Sequence, residues 1–227
     1  MVGIGRPELF PQARLLVFAK APEPGCVKTR LIPVLGPQGA ASLHRRLVHH
    51  TLSTTQASET APVELYCSPD IEHPFFRSIE IERGIPLRRQ QGQDLGERMA
   101  SAFAEALARH AYVVLVGTDC PALDAQTLQR SFDALREGSD VVLCPAEDGG
   151  YVLIGLRRVD KQLFEGVPWG SSHVLRETRD RLRALNWQWR ELPSLWDVDR
   201  PEDLARLQAS QLLPAPDKEP PCSNESC

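Results

Sequence analysis

Apolar residues along the chain fall into short unbroken runs separated by longer stretches of helical spacing. Leu15–Ala19 (LLVFA), Val63–Cys67 and Tyr112–Val116 (YVVLV) are continuous apolar runs. Such runs suit strands buried on both faces, as in a parallel sheet. Leu87–Gln90, Asp140–Cys144, Tyr151–Leu156 and Trp187–Glu191 read as further strands. Between them, apolar residues at Leu95, Met99, Phe103, Ala106 and Leu107 predict a helix over Leu95–His110. Helices are also expected over Gln38–Ala57, Asp124–Arg136, Ser171–Leu185 and Pro201–Gln208, the last with proline at its first position. Pro74–Glu82 reads as a short helix or irregular segment. Strands alternating with helices predict βαβ units, hence a Rossmann-like α/β domain with a mainly parallel sheet. The expected organisation is an arm over 1–13, one domain over 14–210 and a Pro-rich, polar, disordered tail over 211–227.

Composition narrows the function. A formal net charge of −4 argues against a general nucleic-acid or membrane-surface binder, which usually shows a basic patch. No apolar run approaches the ~20 residues of a membrane span, and Met1–Gln12 lacks the regions of a signal peptide. The expected location is the cytoplasm. Of the six cysteines, Cys67, Cys120 and Cys144 read as small buried hydrophobes. Cys26 falls in a loop, and Cys222 and Cys227 fall in the tail.

In an open α/β sheet, ligands bind beyond the carboxyl ends of the strands, so the residues after each strand are the candidates. After the first strand, KAPEPGCVKTRL brings Lys20, Lys28 and Arg30 around the turn residues Pro22, Pro24 and Gly25. Cations beside a turn with free backbone N–H groups suit a phosphate chain. The loop is not a Walker A motif, since Val27 stands where a glycine is needed. Gly117–Pro121 (GTDCP) places Asp119 behind a buried strand, where Mg²⁺ shared with phosphates would want a carboxylate. Asp124 is better placed to cap the next helix. Pro145–Tyr151 (PAEDGGY) presents Glu147 and Asp148 to an acceptor or simply forms a hairpin turn. In LWDVDRPEDL, Asp197 and Asp199 alternate. Asp199 either supplies a second metal carboxylate or caps the last helix, with Glu202 completing a capping box. In QQGQDLGERM, Asp94 suits a helix cap, and Gly92 and Gly96 allow a close backbone approach. Trp169 reads as packing before binding.

FAKAPEPGCVKTRL, QQGQDLGERM, GTDCPAL, PAEDGGYVLIGL, PWGSS and LWDVDRPEDL, in this order, resemble a bacterial family of glycosyltransferase A-like proteins. The resemblance spans Arg14 to about Leu207. It implies a three-layer α/β/α sandwich of the nucleotide-diphospho-sugar transferase type, with a mixed, mostly parallel sheet. The first loop is similar to that of 2-phospholactate and molybdenum-cofactor guanylyltransferases. By that similarity Lys20, Gly25, Lys28 and Arg30 contact nucleotide phosphates, and Asp94, Leu95 and Gly96 lie near base or sugar. Asp119 and Asp199 hold Mg²⁺ or Mn²⁺, and Glu147 and Asp148 serve the acceptor. The implied partners are a nucleotide or nucleotide-sugar and a small-molecule acceptor. Sugar transfer, nucleotidyl transfer and nucleotide binding without turnover are the functional alternatives. One departure weighs against the first: Asp119 is followed by Cys120 and Pro121, not by the Asp-X-Asp of many glycosyltransferases.

Overall fold

The computed structural model describes residues 10–213; Cys222 and Cys227 lie outside them. One seven-stranded sheet organises the chain. Its strands are β1 (Ala13–Lys20), β2 (Val63–Ser68), β3 (Leu87–Arg89), β4 (Tyr112–Val116), β5 (Val141–Pro145), β6 (Tyr151–Leu156) and β7 (Trp189–Glu191). Their spatial order is β3-β2-β1-β4-β6-β5-β7. All neighbouring pairs are parallel except those of β6, which runs antiparallel to β4 and β5. The expected mixed, mostly parallel sheet is therefore present. Its antiparallel member arises where residues 146–150 return the chain directly instead of through a helix.

Alternation along the strands sorts the core into two layers. Leu15, Val17, Val114, Val116, Val142 and Cys144 face one side with Val48, Leu52, Phe76 and Phe132. These last lie on α1 (Ile32–Ala57), α2 (Pro74–Arg83) and α4 (Ala125–Arg136). Leu16, Phe18, Val113, Leu115 and Leu143 face the other with Met99, Phe103 and Leu182, from α3 (Leu95–Leu107) and α5 (Val174–Ala184). The result is an α/β/α sandwich. Gly155 in β6 lies 2.6 Å, at a notional Cβ, from Val142 and 3.1 Å from Leu135, so the sheet admits α4 only because no side chain stands there.

Helix α1 starts earlier than the pattern predicts, but it is broken at Gly36 (φ 69°), followed by Pro37. The regular part thus begins near Gln38, as expected. A 3₁₀ turn over Thr29–Leu31 precedes it. The last helix, α6 (Pro201–Ser210), packs Leu207 with Leu43 and Leu47 of α1 and with Leu213. The sandwich reaches past the expected limits at both ends. Phe10 stacks on Phe132 at 5.3 Å, inside the segment read as an arm, and Leu213 is buried.

Candidate active site

The chain builds outward from β1 through β2 and β3, then crosses to β4 on the other side. The carboxyl ends of β1 and β4 are therefore the topological switch point, where a crevice opens. A cavity of about 460 Å³ occupies it, lined by Lys20, Lys28, Arg30, Gln90, Asp119 and Asp199 among others. Four of the seven residues expected at the nucleotide, Lys20, Lys28, Arg30 and Leu95, share this cavity with both expected metal carboxylates. Gly25 turns the loop with φ 85° and stands outside the lining.

The three cations differ in setting: Lys20 and Arg30 are exposed, and Lys28 is buried. Lys28 adopts φ 48° and runs inward. Its ammonium donates to Asp119 Oδ1 and to the Val198 carbonyl, both at 2.6 Å. The surrounding protein works against the Asp119 carboxylate although half its side chain stays open to the crevice, and the Lys28 ammonium outweighs this and holds it below the usual range. Arg30 forms an ion pair with Asp199; this raises its guanidinium further, through hydrogen bond and charge alike. The segment before α6 is tied to the β4 loop by Val198 N–H donating to the Asp119 carbonyl at 2.8 Å. That bond brings the two carboxylates to one edge although one follows β4 and the other precedes α6.

Asp199 does not cap α6. Asp203 accepts from the backbone N–H of Arg200 at 2.7 Å and of Asp199 at 2.9 Å. The helix starts one residue later than the capping-box reading requires, so Asp203, not Glu202, closes the box. This frees the Asp199 carboxylate for Arg30. Asp197 is half-buried, and burial together with Asp148 and Asp119 pushes it up to about 6. Asp197 lines neither cavity, so of the two alternating acids only Asp199 faces the phosphate cavity.

Glu147 and Asp148 part company. The Glu147 carboxylate takes a bidentate pair from Arg206 on α6 at 2.6 and 3.0 Å, and Arg206 in turn lies 4.6 Å over the Trp196 ring. This arrangement corrects the acceptor assignment for Glu147: its carboxylate braces α6 and lines neither cavity of the site. Asp148 accepts from Gly150 N–H at 2.9 Å and lines a second cavity of about 190 Å³. Asp148 thus both steadies the turn and borders a cavity, whereas Glu147 does neither. Gly149 (φ 94°) sits against the Ser172 backbone, 2.3 Å from a notional Cβ to the Ser172 carbonyl, which locks the turn onto the loop containing Trp169.

Asp94 caps α3, accepting from Glu97 N–H at 2.8 Å. Leu95 is exposed and lines both cavities. Gly96 is buried, and the close approach it permits is made by the protein itself. A notional Cβ there would lie 2.7 Å from Trp169 Nε1 and 2.6 Å from the Phe164 carbonyl. Two further residues escaped the sequence reading. His44, buried on α1, faces the first cavity and bonds the Lys20 carbonyl through Nε2 at 3.0 Å; burial holds its imidazole neutral below the usual range. Gln90 Nε2 donates to the carbonyls of Tyr66 at 2.8 Å and Ala19 at 3.2 Å, tying β1 to β2 at the cavity floor. His44 lies in no motif, and Gln90, the first residue of QQGQDLGERM, reads from sequence only as the end of a strand. The buried thiols of Cys67, Cys120 and Cys144 are pushed up to about 12 by burial, as inert packing groups should be.

Among the described residues, no group of three or more His, Cys, Asp or Glu side chains converges to hold a metal. Two carboxylates on one cavity fit Mg²⁺ or Mn²⁺ only if substrate phosphates and water complete the shell, which is how Mg²⁺ is commonly held. Among the described residues no helix is long and apolar enough to cross a membrane.

Comparison with solved structures supports this fold. A Desulfovibrio desulfuricans G20 protein, provisionally described as a nucleotide-diphospho-sugar transferase, superposes with TM-score 0.81 at 34% identity, covering 88% of each chain. A CMP:2-keto-3-deoxy-manno-octonic acid synthetase in complex with CTP superposes with TM-score 0.55 at 11% identity, covering 88% of this chain and 98% of that one. A Mycobacterium tuberculosis H37Rv protein crystallised with manganese gives TM-score 0.54 at 17% identity, covering 87% and 98%. These two distant likenesses establish the fold alone. A search of curated proteins returns no match. Residues 51–171 match the model of the family DUF2064, described as an uncharacterized protein conserved in bacteria. With that match and the 34% identity of the Desulfovibrio protein, the chain belongs to the DUF2064 family, on a nucleotide-diphospho-sugar transferase fold.

Proposed function

We propose that this protein is a divalent-metal-dependent transferase that takes a sugar from a nucleotide-sugar and delivers it to a small-molecule acceptor. The observation that carries this reading is the single cavity at the switch point, where Lys28–Asp119 and Arg30–Asp199 stand as two cation–carboxylate pairs beside Lys20. Each pair splits into the two things a nucleotide diphosphate needs. The cations take phosphate oxygens, and the carboxylates are released to hold Mg²⁺ or Mn²⁺ against the same phosphates. The cation, when bound, supplies neutralisation of the leaving diphosphate. Lys28 and Arg30 share that charge once the donor is bound, so the rearrangement of the two pairs falls on binding and not on the chemical step. An acceptor hydroxyl in the adjoining cavity attacks the sugar carbon, the bond from that carbon to the diphosphate oxygen breaks, and Asp148 accepts the proton.

A second reading, nucleotidyl transfer, is favoured by one observation: the sequence Asp119-Cys120-Pro121 lacks the second acid of Asp-X-Asp. In it an acceptor phosphate attacks the α-phosphorus and pyrophosphate leaves. Incubation with Mn²⁺ and either labelled nucleotide-sugars or α-labelled nucleoside triphosphates separates the two. Release of nucleoside diphosphate with a glycosylated product supports the first, and release of pyrophosphate the second. Nucleotide-sugars and triphosphates that give neither turnover nor a Mn²⁺-dependent rise in melting temperature would refute both, since a ligand selective for the native state must raise apparent stability.

A further inference from the structure

The acceptor end of the site has a chemistry opposite to that of the donor end. The second cavity lies between β4, β6 and the N-terminus of α5, and shares Phe18, Leu95 and Gly117 with the phosphate cavity. These three residues form the common wall, so the two spaces meet there. Beyond that wall the lining is Met99, Leu115, Tyr151, Leu153, Trp169 and Val174, with Asp148 as its one acid. Trp169 and Tyr151 meet edge to face at 6.4 Å. No lysine or arginine lines it. The Trp169 indole N–H is buried over Gly96 and has no hydrogen-bond partner among the described residues. A buried donor left without a partner is costly; this one is packed against Gly96, which does not line the cavity, so the indole offers a ligand its ring and not its N–H.

From this geometry we infer that the acceptor is an alcohol with a compact apolar body, a ring or branched chain, and not a second sugar or a phosphorylated polyol. The inference rests on the transferase reading above. Size and lining both enter it. An apolar cavity of about 150 Å³ admits benzene, so about 190 Å³ admits one substituted ring. Only Asp148, Ser171 and the Tyr151 hydroxyl offer polar side chains in the lining, so most hydroxyls of a polyol would face Met99, Leu115 and Leu153, a cost that sites impose on the wrong ligand. A phosphorylated acceptor would meet the Asp148 carboxylate with no lysine or arginine in the lining to offset it. In the inferred pose the ring lies against Tyr151 and Trp169, and its hydroxyl points past Gly117 toward the donor. Asp148 takes the hydroxyl proton as the new carbon–oxygen bond forms and the donor's bond to diphosphate breaks.

Benzyl alcohol and glycerol serve as paired probes, with binding to the full chain followed by saturation-transfer NMR. Benzyl alcohol is expected to bind at least tenfold more tightly than glycerol. Ser171→Trp at the rim and Val174→Phe in the wall should each weaken benzyl alcohol at least tenfold. Both should leave Mn²⁺-dependent nucleotide binding within twofold, because neither residue lines the phosphate cavity. Glycerol binding as well as benzyl alcohol, failure of both to bind, or benzyl alcohol binding unchanged in folded Ser171→Trp would overturn the inference. Loss of nucleotide binding in the unaltered protein would instead strike the transferase reading, so the two failures are told apart.

Discussion

The Lys28–Asp119 pair is asymmetric, and that asymmetry has a measurable sign. The Lys28 side chain is 3% exposed and the Asp119 side chain 50% exposed. At 2.6 Å their gross attraction is on the order of 6 kcal/mol at an effective dielectric of about 20. Dehydration of the ammonium takes back several kcal/mol. Asp119→Ala therefore strands a buried ammonium on the Val198 carbonyl alone, at a cost of about 3 kcal/mol, in the range for breaking a buried pair. Lys28→Met strands a carboxylate that water already reaches, and an exposed partner of this kind is worth about 1 kcal/mol. The freed Val198 carbonyl adds about 1 kcal/mol more. Urea unfolding at pH 7 should show Asp119→Ala as the more damaging change by about 1 kcal/mol. Equal losses, or a larger loss in Lys28→Met, would refute the view that the lysine is the dehydrated partner. Function should separate the variants differently: Lys28→Met loses nucleotide affinity with or without metal, whereas Asp119→Ala loses only the metal-dependent part.

Three further outcomes follow from packing and titration. Gly96→Ala drives a methyl group into Trp169 and the Phe164 carbonyl and should cost about 1–3 kcal/mol in urea unfolding, with a change in tryptophan emission; a neutral result would mean that α3 and the Trp169 loop are not packed as described. Glu147→Ala removes an exposed brace to Arg206, so nucleotide affinity should stay within twofold, and a tenfold loss would return Glu147 to the site. His44, whose pKa is lowered chiefly by burial, binds its proton less readily folded than unfolded; stability should accordingly fall as pH drops below about 6.5, and NMR should show His44 still neutral at that pH, an imidazolium there being the refuting result.

The sheet was legible because β-strand and helix periods differ and the apolar runs are unbroken. Tyr112–Val116 and Tyr151–Leu156 match their predicted bounds residue for residue. What periodicity carries less well is direction. A continuous apolar run is the same read either way, so the reversal of β6 depended on the short Glu147–Gly150 connection, which is too brief for the crossover that parallel neighbours require.

The candidate site was legible at the level of which strand ends matter, and not at the level of which atoms meet. The switch-point rule led to Lys28, Arg30, Asp119 and Asp199 because each follows a strand or precedes a helix at that edge. Pairing is a three-dimensional property. Nothing local in PAEDGGY says that Glu147 will be claimed by Arg206 on the last helix while its neighbour faces a cavity. Nor does DVDRPEDL say that Asp203, one position beyond Glu202, will take the cap and release Asp199. In both cases the neighbouring acid most suited to a structural task is used for it, and the other is left facing the site. The same division explains QDLGERM: Asp94 is consumed as a cap and Gly96 by Trp169, which leaves Leu95, an exposed apolar residue with no structural partner to justify it, standing at the meeting point of the two cavities. An exposed leucine flanked by a satisfied cap and a packed glycine stands where a ligand in either cavity would cover it, and Leu95→Ala should therefore weaken nucleotide binding if the transferase proposal is right, with unchanged affinity in the folded variant counting against it.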